Sequence, residues 1–345
     1  FPDPPLPAGE TAASHLRALC EAGFTRRYGS RIAAPAAARQ LDRELEIIER
    51  LGFSSYFVVV GEIVRFGRER GVATVGRGSG ASAVTSFVLG ITNVDPIRYG
   101  LAFERFLHEK RPDWPDLDVD LCWKRRDEVI EHVYAAYGRD RVAMISTHNT
   151  YGMRSAFREA AKAHGVANAT VDRLGRCVPH ASEMPLRQAL DRVPRGREIP
   201  REDPPWPRVL EQAERLVGLP RHLGLHPGGI VIADAPLERY VPLEKAAKGI
   251  LCTQFEMRAV EAVGLVKIDL LGNRAISTIR ETVELVEAGG GPRLDPEAFP
   301  HEDPPTARLL SSGDSLGVFQ MESPGMRSLN RMLATHDLAT AVAAV

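Results

Sequence analysis

The length, composition and charge of this chain indicate a globular protein of ordinary composition. Its 345 residues suffice for roughly two or three domains, and 44% hydrophobic with 26% charged residues are typical of globular domains. The net charge of −1 excludes the overall basic field that many nucleic-acid-binding proteins carry, so any basic surface must be local. The four cysteines are widely spaced, which argues against a zinc site or a disulfide framework. No apolar run is long enough for a membrane helix. We therefore expect a cytoplasmic protein.

The first part of the chain predicts a layer of packed helices. A short helix is expected over residues 11–22, and a clearer one over residues 36–51, where apolar residues recur at helical spacing. A third is expected over residues 56–70, with Ser54 and Ser55 available as an N-cap. A glycine follows each of the last two helices and is expected to end it.

A possible phosphate-binding turn follows these helices. A short β-prone segment, residues 72–75, runs into Gly76-Arg-Gly-Ser-Gly80, and a helical pattern covers residues 81–89. A strand, a glycine turn and a helix N-terminus in this order can bind an anion, because backbone N–H groups and the helix dipole point at it. A purely structural glycine turn is the alternative, and the absence of a following Lys-Ser/Thr excludes a Walker loop.

The most informative segment is Pro115-Asp-Leu-Asp-Val-Asp-Leu121. Alternation predicts a half-buried strand with Asp116, Asp118 and Asp120 on one face. Carboxylates this close repel each other, so a cation is expected beside them, and Mg²⁺ prefers carboxylate oxygens. A calcium loop is excluded because Leu121 stands where that loop needs glycine. A solvated acidic edge strand remains the alternative.

The middle of the chain predicts an inserted helical domain. A helix over residues 124–137 and a strand over residues 142–146 precede it, and from residue 150 to about 223 the pattern is helical only. A strand is then expected over residues 228–233. His226, before a glycine pair, is interpreted as a packed or turn-capping residue rather than a ligand.

A second strand can contribute to the acidic face. In Gly264-Leu-Val-Lys-Ile-Asp-Leu-Leu-Gly272, alternation puts Lys267 and Asp269 on one face. An acid and a base on an otherwise apolar strand are costly to bury unless they are paired or bind a ligand. A helix over residues 276–288, a Gly/Pro-rich break and a last helical region follow.

Together these residues suit phosphoryl or nucleotidyl transfer with two divalent ions. Asp118 and Asp120 would hold both ions, and Asp269 would hold the ion that activates an attacking 3′-hydroxyl. A further set would neutralise a triphosphate: Arg77, Gly78, Ser79, Lys267 and Arg105.

The chain resembles the family C DNA polymerases, the alpha subunits of bacterial DNA polymerase III. The likeness runs in order through most of the chain. Its motifs are Gly76-Arg-Gly-Ser-Gly80, Phe103-Glu-Arg-Phe-Leu107, Pro115-Asp-Leu-Asp-Val-Asp120, Tyr137-Gly-Arg-Asp140, His226-Pro-Gly-Gly229, Gly264-Leu-Val-Lys-Ile-Asp269 and Val318-Phe-Gln-Met-Glu-Ser323.

The resemblance implies an α/β (α+β) fold with a polymerase β-like nucleotidyltransferase palm and a mixed sheet. Residues 1–149 and 225–274 would form the palm, 150–224 an all-helical thumb, and 275–345 the start of the fingers. In the family an amino-terminal PHP domain precedes this region, and fuller fingers, a clamp-binding motif and an OB domain follow it. We therefore expect the chain to be a piece of a longer protein.

The resemblance also implies a function, a site and partners. The expected activity is DNA-templated DNA synthesis with Mg²⁺, or Mn²⁺, as cofactor. Asp118, Asp120 and Asp269 would be the metal-binding triad, while Asp116 aligns with an acid that the family does not use as a ligand. Expected partners are primer–template DNA, dNTPs and, in the intact protein, a sliding clamp and other replisome or mutagenesis subunits.

Some segments depart from the replicative members of the family. Thr74-Val-Gly76 replaces the usual Gly-Pro-Gly, and Gly80-Ala-Ser-Ala-Val84 replaces Gly-Ala-Gly-Ser. With residues 149–155 and 221–226, these features favour the accessory error-prone branch and put a processive replicative role in doubt, although not the chemistry.

Two other functions remain open. Gly78-x-Gly80-x-x-Ala83 loosely matches the dinucleotide fingerprint of nicotinamide-dependent oxidoreductases, but the nearest ribose-binding acid would be Asp95, in a turn. A catalytically incompetent DNA-binding or scaffold fragment is the other alternative. It would bind DNA through phosphates, with strong salt dependence.

Overall fold

The computed structural model describes residues 1–108, 115–180, 184–246, 249–300 and 302–345. These residues divide into two compact units. Asp3–Ala136 and Ile268–Val345 form the first, here called the acidic-strand unit. Phe1–Pro2 and Tyr137–Lys267 form the second, here called the middle-segment unit. Each contains helices and strands that pair both parallel and antiparallel, which confirms the predicted α/β class.

Fourteen α-helices and seven strands lie within the described residues. The strands are β1 (Thr74–Arg77), β2 (Asp118–Cys122), β3 (Val142–Thr150), β4 (Pro220–Ile232), β5 (Leu243–Lys245), β6 (Leu251–Glu256) and β7 (Lys267–Asn273). The helices are α1 (Ala12–Tyr28), α2 (Pro35–Arg50), α3 (Ser54–Glu69), α4 (Val84–Val88), α5 (Arg126–Tyr137), α6 (Met153–Ala163), α7 (Asn168–Gly175), α8 (Leu186–Arg192), α9 (Trp206–Leu216), α10 (Met257–Ala262), α11 (Arg274–Ala288), α12 (Pro304–Ser311), α13 (Pro324–Leu333) and α14 (Leu338–Ala344). None of these helices combines the length and the apolar character that crossing a membrane requires.

The predicted helical layer of the acidic-strand unit is present and longer than expected at its start. α1 begins after Thr11, whose side chain forms a capping box with Ser14, and continues to Tyr28 instead of residue 22. α2 begins with Pro35 at its first position and buries an apolar stripe against α1 and α4. α3 is buried on almost all sides, as expected for a helix between other elements.

The sheet of the acidic-strand unit brings three sequence-distant strands together. β1 pairs antiparallel with β2, and β2 pairs parallel with β7. The apolar residues of the acidic segment, Leu117, Val119 and Leu121, are all buried, as alternation predicts. The opposite face therefore carries the carboxylates.

The middle-segment unit combines a sheet with a separate helical core. β3 pairs antiparallel with β4 and parallel with β6, and β5 pairs antiparallel with β6. Helices α6 to α9 bury Phe157, Leu190, Trp206 and Leu210 in one hydrophobic cluster. Residues 151–219 are thus without strands in their described part, close to the predicted helical insert.

Several element boundaries differ from the predictions. β3 extends to Thr150 and β4 begins at Pro220, because their ladder continues into exposed polar residues where hydrophobic alternation gives no signal. The helix expected from residue 81 begins at Val84, because Gly78–Ser82 first forms a 3₁₀ turn and Ala83 is extended. The short strands β5 and β6 and the short helix α10 were not predicted.

All four cysteines are buried, and none of them is paired in a disulfide. His226 accepts hydrogen bonds at Nδ1 from the backbone N–H groups of Gly228 and Gly229, at 3.2 and 2.6 Å. This confirms its turn-capping role.

Candidate active site

Three carboxylates meet on the acidic face of β2 and β7. The parallel register sets Asp118 directly beside Asp269. Among the described residues, Asp116, Asp118 and Asp269 form a group whose ligand oxygens lie within 4.8 Å of one another. Asp116 is exposed, Asp118 is half-buried and Asp269 is buried, so the group runs from the surface into the sheet.

Asp120 lies on the same strand but outside that group of three. Its Oδ1 is 3.4 Å from Arg77 Nε, and its Oδ2 accepts a hydrogen bond of 2.9 Å from Asn273 Nδ2. Of the predicted triad, the structure therefore brings together Asp118 and Asp269, and it adds Asp116 where Asp120 was expected.

Arg77 lies within ion-pair distance of both Asp118 and Asp120. Its Nε lies 3.8 Å from Asp118 Oδ2 as well as 3.4 Å from Asp120 Oδ1, and half of its side chain is exposed. The last residue of β1 thus offsets part of the carboxylate repulsion that the sequence pattern implies.

The glycine-rich turn reaches this site through close packing. Gly78 has a φ of +71°, which glycine adopts at little cost, and a Cβ there would lie 3.6 Å from Asp118 Oδ2. Ser79 is half-buried in the 3₁₀ turn that follows. The backbone of Gly78 is therefore next to the Asp118 carboxylate.

The N-terminus of the helix after the turn is occupied by a side chain of the protein itself. The buried carboxylate of Glu44 accepts hydrogen bonds from the backbone N–H groups of Val84 and Thr85, at 3.0 and 2.8 Å, and from Thr85 Oγ1. Burial raises the pKa of Glu44 to about 7, although these hydrogen bonds oppose the shift. The helix N-terminus that was predicted to face a phosphate thus faces Glu44. A phosphate would therefore contact the preceding turn and not the helix N-terminus.

Tyr56 supports the acidic segment from the helical layer. Its Oη accepts a hydrogen bond of 3.0 Å from the backbone N–H of Leu117, between Asp116 and Asp118. Burial raises the pKa of Tyr56 above its usual range, and the neighbouring carboxylates add to the increase. The hydroxyl therefore stays neutral and fixes the peptide that carries the two acids.

The two remaining predicted phosphate ligands are Lys267 and Arg105. Lys267 is buried as the first residue of β7, two positions before Asp269. Arg105 is exposed at the end of a 3₁₀ turn, Phe103–Arg105.

Sequence reasoning missed three residues that shape the site. Glu44 and Asn273 are ordinary polar residues in their local patterns, and only the tertiary structure reveals their partners. Arg126 donates from Nε to the carbonyl of Leu270, 2.6 Å away and next to Asp269. Burial lowers the pKa of Arg126, and the charge of Asp269 opposes that shift.

The structure does not support the dinucleotide-binding alternative. A dinucleotide fold needs parallel strands joined by a helix, whereas β1 pairs antiparallel with β2 and a 3₁₀ turn follows it. Asp95 is engaged elsewhere, because its Oδ1 accepts a hydrogen bond of 2.6 Å from Tyr28 Oη.

The donor chemistry of the acidic group fits a hard divalent cation. All its potential ligand atoms are carboxylate oxygens, which Mg²⁺ and Mn²⁺ prefer over nitrogen or sulfur.

The strands, the glycine turn and the carboxylates define a class of protein. Residues 14–272 match the family model described as the bacterial DNA polymerase III alpha NTPase domain, and residues 275–345 match that of the alpha subunit finger domain. The chain belongs to the bacterial DNA polymerase III alpha family, which confirms the resemblance drawn from its motifs.

Individual relatives carry two names. The chain is 40% identical to the error-prone DNA polymerases of Symbiobacterium thermophilum and Pseudomonas aeruginosa, over 100% of its length and 31% and 34% of theirs. It is 35% identical to the DNA polymerase III subunit alpha of Thermus aquaticus, over 99% of this chain and 32% of that protein. The chain thus spans about a third of the length of the curated relatives it matches.

Proposed function

We propose that the protein to which this chain belongs is a DNA-templated DNA polymerase. It would add deoxynucleotides to a primer 3′-hydroxyl and release pyrophosphate, in bacterial replication or error-prone repair synthesis. The observation that carries the proposal is the register of Asp118 beside Asp269, with Arg77 and the Gly78–Ser79 turn on the adjoining strand. Membership of the polymerase III alpha family supports it.

The proposed metal ligands are Asp118, Asp120 and Asp269, with Mg²⁺ or Mn²⁺ as the ions. Two bound divalent ions would lower the pKa of the attacking hydroxyl and neutralise charge on the leaving pyrophosphate. Asp118 is in register with Asp269 and shares Arg77 with Asp120, which supports a role for Asp118 as a ligand of both ions. Asp269, the most deeply placed of the group of three, would assist removal of the hydroxyl proton.

The proposed nucleotide contacts come from the glycine turn and nearby cations. Backbone groups at Gly78 and the Ser79 hydroxyl would bind phosphate oxygens beside Asp118. Arg77 would move from the carboxylates to the triphosphate, because its half-exposed side chain can turn outward. Lys267 and Arg105 are assigned the same charge-neutralising role.

We assign the domains as the family resemblance implies. Residues 1–149 and 225–274 would form a polymerase β-like palm, 150–224 the thumb, and 275–345 the start of the fingers. The match of residues 275–345 to the finger model supports the last boundary, and the separate core of α6 to α9 supports the thumb. Primer–template DNA, dNTPs and, in the intact protein, a sliding clamp and other replisome or mutagenesis subunits are the proposed partners.

The experiment is primer extension by the full-length protein with dNTPs and Mg²⁺, compared with Asp118→Asn and Asp269→Asn. We expect extension by the unmodified protein and its loss in both variants, with primer–template binding retained. Binding without extension by the unmodified protein would instead favour the scaffold alternative. Extension by both variants at the rate of the unmodified protein would show that the acidic site takes no part in the reaction.

A further inference from the structure

Asn273 joins two structural elements at the edge of the acidic face. It is the last residue of β7 and the N-cap of α11. Its Oδ1 accepts hydrogen bonds from the backbone N–H groups of Ala275 and Ile276, at 2.9 and 3.4 Å. The side-chain oxygen therefore completes the first turn of the helix that opens the segment matching the finger model.

The other end of the same amide contacts a candidate metal ligand. Asn273 Nδ2 donates to Asp120 Oδ2 over 2.9 Å. The amide orientation follows from its surroundings, because the end facing two N–H donors must be the oxygen, which leaves the NH₂ group for the carboxylate. An N-cap needs only an oxygen, so the bond to Asp120 is additional to capping.

By holding Oδ2, this bond orients the Asp120 carboxylate and so determines where its other oxygen, Oδ1, points. Asp120 Oδ1 lies 3.4 Å from Arg77 Nε, and Asp118 Oδ2 lies 3.8 Å from that nitrogen. Oxygens of the two carboxylates thus face one position, which a cationic group of the protein occupies in this structure.

We propose that Asn273 is a positioning residue that holds Asp120 so that its Oδ1 and Asp118 Oδ2 face a shared divalent-cation position. This inference rests on the proposed function and deepens it. Groups that hydrogen-bond a metal ligand orient it, and their loss typically weakens metal affinity about 10-fold to 100-fold. The arrangement also ties Asp120 to the start of α11.

The test is a calorimetric titration of the 345-residue chain with Mn²⁺. Asn273→Ser keeps a side-chain oxygen able to cap α11 but cannot reach Asp120. We expect its dissociation constant for Mn²⁺ to rise about 10-fold, with a melting temperature close to that of the unmodified chain. Asn273→Thr, which also keeps a capping oxygen, serves if the serine variant does not fold.

Asp303→Ser is the matched control. Asp303 caps α12 in the same unit by accepting from the Thr306 N–H, 2.9 Å away, so the substitution changes a cap of similar kind. We expect unchanged Mn²⁺ affinity. An affinity in Asn273→Ser equal to that of the unmodified chain would overturn the role of Asn273 and leave the proposed function standing. The absence of saturable Mn²⁺ binding by the unmodified chain would overturn both.

Discussion

The aspartates at positions 116, 118 and 120 alternate along one segment that leads into β2, yet their surroundings differ. Asp118 lies in register with Asp269, Asp116 is exposed, and Asp120 is held by Arg77 and Asn273. The sequence pattern predicts their shared face. The pattern cannot show which of the three aspartates would bind a cation and which would bind other side chains. That depends on Arg77 and Asn273, which are about 40 and 150 positions from Asp120 in the sequence.

The first prediction separates Asp120 from Asp116. In the full-length protein we expect Asp120→Asn to lower kcat/KM for primer extension by at least about 100-fold, because it removes ligand charge. We expect Asp116→Asn, at the exposed end of the group, to change it by less than about 10-fold. Steady-state kinetics with Mg²⁺ measure both, and the reverse order of the two effects would make Asp116 the ligand.

The second prediction concerns the buried carboxylate of Glu44. Folding raises its pKa from 4.5 to about 7, so the protonated form is favoured in the folded state. Its contribution to stability is therefore present below pH 4.5 and is lost as the pH rises towards 7. The loss is about 3 kcal/mol, from 1.36 kcal/mol per pKa unit.

Denaturant unfolding at a series of pH values measures this dependence. We expect Glu44→Gln, which does not titrate, to remove that component of the pH dependence of the unfolding free energy. Glu46→Gln, at an exposed position of the same helix, is the control and should leave it intact. Parallel pH profiles for Glu44→Gln and the unmodified protein would contradict the assignment.

At the scale of elements, close packing explains why two positions of the Gly76–Gly80 segment need glycine. A Cβ on Gly76 would lie 2.4 Å from the carbonyl oxygen of Ile91, and one on Gly80 would lie 2.3 Å from Leu117 Cδ2. The first obstacle is backbone, which cannot move easily. The second is the end of a side chain, which can turn aside.

The third prediction follows from that difference. We expect Gly76→Ala to lower the free energy of unfolding by about 1–3 kcal/mol, the usual effect of overpacking, and Gly80→Ala to lower it less. Equilibrium denaturation measures both. Gly325→Ala, where a Cβ meets nothing within 4 Å, is the control and should be neutral or stabilising. Equal losses for Gly76→Ala and Gly80→Ala would contradict the distinction.

The predictability of the elements depends on how much apolar periodicity each one carries. Helices α2 and α3 and strand β2 were predicted closely, because each has a regular pattern of buried residues. The exposed half of the β3–β4 pair was not predicted, because its residues do not alternate between apolar and polar. The start of α4 was also wrong, because a 3₁₀ turn and a helix share the same local composition.

At the scale of the whole molecule, the acidic site is formed by segments far apart in the sequence. β1 and β2 are separated by about 40 residues, and β7 follows β2 after the entire middle segment. Sequence motifs predicted that these segments belong to one site. The sequence alone could not predict the antiparallel and parallel pairings that set Asp118 between Arg77 and Asp269.

Anomalous diffraction from crystals of the chain grown with Mn²⁺ shows whether this face binds divalent cations. We expect an anomalous peak about 2.0–2.3 Å from carboxylate oxygens of Asp118 and Asp269, with Arg77 displaced from the carboxylates. A well-ordered site with Arg77 still against Asp118 and Asp120, and no peak at saturating Mn²⁺, would contradict the account.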